Sequence, residues 1–112
     1  LIQGLDLSGA GDDVALALLD LARHDTAPRT EALSGALVDA FEAAGLELNS
    51  RPERGGAFAV LKAADMPSVL VELGFLSTEG DLAKLTSEAW QIEASRAVRD
   101  ALMLWEDEDS LR

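Results

Sequence analysis

At 112 residues the chain has room for one small domain with a single core, and little for a separate substrate-binding unit. Its 21 Asp and Glu against 9 Lys and Arg leave a net charge of −12, which repels phosphate backbones and anionic bilayers and so argues against nucleic acid or membrane surfaces as partners. There is no cysteine, so disulfides, thiolate zinc sites and cysteine nucleophiles drop out together. No apolar run approaches the roughly 18 residues that suggest membrane insertion.

The chain opens on Leu1 rather than Met, and Leu-Ile-Gln-Gly has neither the basic flank nor the apolar length of a signal peptide. It reads as part of something longer. Ser8 to Gly11 is a flexible turn, after which Val14, Leu18 and Leu21, widened by Ala15, Leu19 and Ala22, recur at helical spacing between Asp12 and Asp25. Asp12 and Asp13 suit the positive end of that helix. Pro28 is read as an interruption, with a second helix from about Thr30 to Ala44 that puts Leu33, Leu37, Ala40, Phe41 and Ala44 on one face and stops at Gly45.

Asn49 to Gly56 is a polar connection, and Ala57 to Leu61 is a short apolar run with the character of a buried strand. A second strand is expected over Ser68 to Leu73, apolar on both faces except at Glu72, as in a covered interior strand. Thr78 to Leu85 fits a short helix. Thr86 can cap a final helix with Trp90, Ala94, Ala97, Ala101 and Leu104 on one side, and Glu106 to Asp109 is read as a solvated tail. The fold class expected is α/β, a central twisted sheet flanked by helices.

Most candidate sites have a plain structural explanation. The single histidine, His24, stands at the end of the first helical stretch, where a cation suits the dipole, and lacks the second histidine or cysteine that zinc needs. Asp12, Asp13 and Asp20 lack the spaced acids and central glycine of a calcium loop. Arg51 and Arg54 around Pro52 either hold an anionic group or are solvated, the latter being the simpler reading. Glu72 is different, because a carboxylate in an apolar strand must be paired, metal-bound or put to use in a cavity. Gly74 and Ser77 follow it, and in α/β sheets reactive groups gather at the carboxyl ends of strands. Two readings stay open: a structural ion pair or cap, and a general base. With no histidine or hydroxyl pair nearby to supply a nucleophile, the natural partner of such a base is a metal-bound water.

The run from Arg51 through Gly55-Gly56-Ala57-Phe58-Ala59-Val60-Leu61 and on through Pro67-Ser68-Val69-Leu70-Val71-Glu72-Leu73-Gly74-Phe75-Leu76-Ser77 resembles the C-terminal half of zinc-dependent N-acetylmuramoyl-L-alanine amidases. Leu1 to Asp25 resembles the segment before the second helix in Gram-negative periplasmic members. Departures from the pattern are Glu53 where histidine is usual, Ala64 for proline, Thr78 for asparagine, and Pro28 within a stretch that relatives continue as helix.

The resemblance implies that residues 1–112 are the C-terminal part of one amidase catalytic domain, acting in the periplasm on peptidoglycan. The bond cleaved would be the amide between N-acetylmuramic acid and the first L-alanine of the stem peptide. Glu72 matches the family's catalytic glutamate. The zinc ligands, two histidines and a glutamate, are expected upstream of Leu1, so the 112 residues alone should be inactive. A LytM-type activator acting during cell division is implied as a partner, and Asp6, Asp12 or Asp13 as candidates for regulation. The competing expectation is a non-catalytic acidic interaction domain derived from an amidase, with Glu72 as a structural ion-pair partner.

Overall fold

The computed structural model describes residues 11–53 and 65–112. Three α-helices are formed among them: α1 over Asp12–Ala43, α2 over Glu79–Leu85 and α3 over Glu88–Asp109. Helix α1 begins after Gly11, with Asp12 and Asp13 in its first turn, where carboxylates meet the unpaired amides of a helix start.

The helix does not stop at Pro28, so the two helices read from the sequence are one of 32 residues. Proline removes one backbone hydrogen bond and crowds the preceding turn, a cost of about 3 kcal/mol in a helix interior. Packing of the following turns against α3 offsets it. Leu33, Leu37 and Phe41 are buried, and the indole Nε1 of Trp105 donates to the Arg29 carbonyl at 2.9 Å, one residue past the proline. One turn earlier the buried Thr26 hydroxyl donates to the Ala22 carbonyl at 2.9 Å, so its polar group is satisfied within the helix.

The C-terminus of α1 closes as expected at Gly45, whose φ of 72° is the left-handed conformation a glycine adopts without steric cost. Its amide donates to the Glu42 carbonyl at 3.0 Å and that of Leu46 to Phe41 at 3.0 Å, the paired bonds of a Schellman motif. Leu46 then packs against the Phe41 cluster.

Helix α3 lies antiparallel to α1. Phe41 clusters with Ala94 and Ala97, Leu33 and Leu37 with Ala101, and Arg29 bonds to Asp109, so contacts descend along one helix as they ascend along the other. Three alanines on α3 let the backbones approach closely, while the larger side chains come from α1. The expected α3 face is confirmed at Ala94, Ala97 and Ala101, but Leu104 is exposed and Trp105 packs in its place. Ser87 caps α3, its hydroxyl accepting from the Trp90 amide at 3.3 Å. Thr86, expected in that role, instead ends α2.

The apolar stripe of the first half of α1 finds no such partner among the described residues. Val14, Leu16, Leu18 and Leu21 are exposed, because α3 reaches the end of its run beside Arg29.

The α/β expectation, with a central twisted sheet flanked by helices, is overturned: the described residues form helices and no strand. Residues 67–75 have no regular secondary structure, and Leu70, Val71, Leu73 and Phe75 are exposed. A strand exists only through a ladder of bonds to a neighbour, and the described residues supply no such neighbour to 68–73. The other expected strand, Ala57 to Leu61, lies outside the described residues.

Candidate functional site

Glu72 sits in the middle of a short arch rather than in a buried strand, and its side chain is exposed. Three residues before it, Val69 packs against the Leu33, Leu37 and Ala101 cluster. Three residues after it, the Phe75 amide donates to Asp81 Oδ2 at 3.0 Å. Both ends of the arch are therefore fixed to helical elements while Glu72 projects between them.

The far anchor is tight. A Cβ placed on Gly74 would lie 3.2 Å from the Cβ of Asp81 and 3.3 Å from its Cγ, closer than ordinary van der Waals contact, so a side chain at 74 would make Asp81 or the arch shift by a few tenths of an ångström. The Thr78 amide donates to the Phe75 carbonyl at 3.2 Å and closes the turn that leads into α2. Lys84 Nζ lies 3.9 Å from Asp81 Oδ1 and donates to Glu47 Oε2 at 2.6 Å, tying α2 back to the segment after α1. The Glu47 hydrogen bond, with the nearby charges of Glu47 and Asp81, holds the Lys84 ammonium above its ordinary pKa.

The sequence reading singled out Glu72 and missed Asp81. A usable signal was present: Thr78 followed three residues later by Asp81 has the form of a capping box. The carboxylate passes over the helix start and reaches Phe75 instead.

Other candidates are not drawn together. His24 is exposed on α1, beside a surface depression lined in part by Asp20, Arg23 and Glu31. Asp12 and Asp13 are exposed, while Asp6 and Arg54 lie outside the described residues. Among the described residues no group of three or more His, Cys, Asp or Glu side chains could hold a metal ion, and the whole chain has one histidine and no cysteine. The residues present thus do not fit a zinc centre of two histidines and a glutamate. No described helix is long and apolar enough to cross a membrane.

A second charged cluster proves to be structural. Asp109, read from the sequence as part of a solvated tail, takes a two-pronged pair from Arg29: Nε to Oδ1 and NH2 to Oδ2, each at 2.8 Å. That hydrogen bond, reinforced by the charges of Arg29 and Arg112, holds the Asp109 carboxyl below its ordinary pKa. A depressed native pKa stabilises the fold above the unfolded carboxyl pKa and stops doing so as pH falls through the native value. Lowering pH from neutrality into the acid range should therefore narrow the difference in Tm between the wild type and Asp109→Asn. A gap that is the same at every pH across that range would show that the pair contributes nothing through ionisation.

The family profile described as N-acetylmuramoyl-L-alanine amidase (Amidase_3) matches residues 13–103. The chain belongs to that family. It is 38% identical over 58 residues to the N-acetylmuramoyl-L-alanine amidase LytC of Bacillus subtilis strain 168, a match covering 52% of this chain and 12% of LytC. It is 35% identical over 63 residues to the uncharacterized protein YqiI of the same organism, covering 56% of this chain and 31% of YqiI. The chain thus spans well under half the length of these relatives. No solved structure matches it.

Proposed function

We propose that this chain is the C-terminal part of a peptidoglycan amidase catalytic domain, in which Glu72 is the proton-handling carboxylate. Family membership across residues 13–103 carries the reading, and the anchored, solvent-facing position of Glu72 supports it. The carboxylate would take a proton from the attacking water as that water adds to the amide carbonyl. It would then deliver the proton to the departing L-alanine nitrogen as the C–N bond breaks, leaving a free carboxylic acid on the lactyl group and a free amine on the stem peptide.

The proposal extends to a zinc ion whose ligands come from outside these residues, since those present do not fit one. When bound, zinc would supply Lewis-acid activation of the water and the carbonyl. The proposal includes the periplasm as its location and a LytM-type activator as a partner. The test is digestion of purified sacculi, with product analysis by mass spectrometry. A protein joining this chain to its upstream part should release stem peptides that begin with a free L-alanine amine. Residues 1–112 alone, with zinc, should release none. Cleavage at another bond would overturn the substrate assignment, and cleavage by the short chain would overturn the dependence on outside ligands.

The second reading, a non-catalytic acidic interaction domain derived from an amidase, draws on the same missing ligand set. An upstream sequence without two histidines and a glutamate in zinc-binding arrangement would favour it.

A further inference from the structure

We propose that Asp81 is a positioning residue for Glu72, holding the arch that presents the glutamate; this rests on the assignment of Glu72 as the proton-handling group. Asp81 stands at the third position of α2, where an acid ordinarily turns back to the amide of the capping residue. Here the capping residue is Thr78, whose amide is already engaged with the Phe75 carbonyl. Asp81 therefore reaches three residues further upstream and accepts from the Phe75 amide at 3.0 Å. A bond that served only to cap the helix would end at Thr78. This one ends in the arch, three residues from Glu72.

Two more observations join in. Gly74 lies against the Asp81 side chain so closely that no Cβ fits without displacement, so carboxylate and arch are in contact along two consecutive residues. Val69 fixes the other end of the arch in the core. Between these points Leu70, Val71, Leu73 and Glu72 itself are exposed, so the described residues give this stretch few other restraints. Removing the Asp81 carboxylate would free one end of the arch and leave the glutamate to sample orientations that do not react. Displacement of a catalytic group by about 1 Å costs on the order of 100-fold in rate.

The experiment is a steady-state comparison in the full-length amidase. Asp81→Ala should lower kcat by about 100-fold with KM within about twofold, since orientation and not substrate affinity is lost. Asp81→Asn keeps an oxygen that accepts from the Phe75 amide and should retain kcat within about threefold. Thr86→Ala removes the hydroxyl that donates to the Leu82 carbonyl at the other end of α2 and should leave kcat at the wild-type value. The double variant Glu72→Gln/Asp81→Ala should be no slower than Glu72→Gln alone, because Asp81 acts only through the glutamate. Independently of activity, hydrogen exchange at the Phe75 amide should speed up in Asp81→Ala and not in Asp81→Asn. Full turnover in Asp81→Ala, or equal losses in Asp81→Ala and Thr86→Ala, would overturn the inference while leaving Glu72 in its role. Full turnover in Glu72→Gln would overturn the reading beneath it.

Discussion

Glu72→Gln in the full-length protein should reduce turnover by about 10²–10⁴-fold, the usual contribution of a positioned general acid–base group. Zinc content and Tm should stay at wild-type values. Glutamine keeps the length and shape of the side chain and can still orient a water by hydrogen bonding, but it cannot accept the water's proton or carry one to the leaving nitrogen. Amide hydrolysis needs both transfers, because the amine is a poor leaving group until protonated. The exposure of Glu72 makes this a clean substitution: with no buried partner among the described residues to strand, the structural cost should be small, as for surface changes in general. A full-length Glu72→Gln enzyme with ordinary turnover would remove Glu72 from the chemistry. A large loss of Tm would mean that the glutamate is a structural partner.

The second large effect falls in the core. Phe41→Ala should cost about 3–5 kcal/mol of folding free energy, read by urea denaturation, against a total of about 5–15 kcal/mol for a typical domain. Phe41 is 8% exposed and meets Ala94 and Ala97 across the helix pair. Those neighbours are too small to collapse into the space a lost ring would leave. The same ring supports Leu46 as the chain leaves α1, so its removal also loosens the helix end. Leu21→Ala makes the useful contrast. Leu21 is 66% exposed, and its truncation should change stability by less than about 0.5 kcal/mol. Equal losses from the two variants would mean that the first half of α1 is as well packed as the second.

Local chemistry in the sequence marked the helix ends well. Asp12 and Asp13 announce the start of α1 and Gly45 its end, and the alanines of α3 recur at a helical period that the structure buries. What local chemistry misjudged was each decision made by distant partners. Pro28 breaks helices in isolation, yet here Trp105, 77 positions away in the chain, bonds beside it and α1 continues. Val14, Leu18 and Leu21 have the period of a buried face, but burial requires a second helix opposite, and α3 stops short.

The arch around Glu72 is the sharpest case. Its apolar run is what an interior strand looks like, and a run of β-branched and aliphatic residues carries no mark of whether a neighbouring strand is present. The importance of Glu72 as a candidate was legible from the oddity of its charge, whereas its exposure and its dependence on Asp81 came only from three dimensions. Asp109 was misread in the opposite sense: among the acids of the C-terminus it alone meets the Arg29 fork, which no property of the tail itself reveals.

The placement of the two tryptophans gives the molecule a pair of built-in optical reporters. Trp90 packs with the Phe41 cluster at the start of α3, and Trp105 binds Arg29 near its end. Emission from Trp105 should follow the loosening of the Arg29 and Asp109 junction in acid, while Trp90 keeps its native colour until the Phe41 end gives way. A chain with one tryptophan at a time would thus show whether the helix pair opens like a zip, from the Asp109 end, or parts all at once.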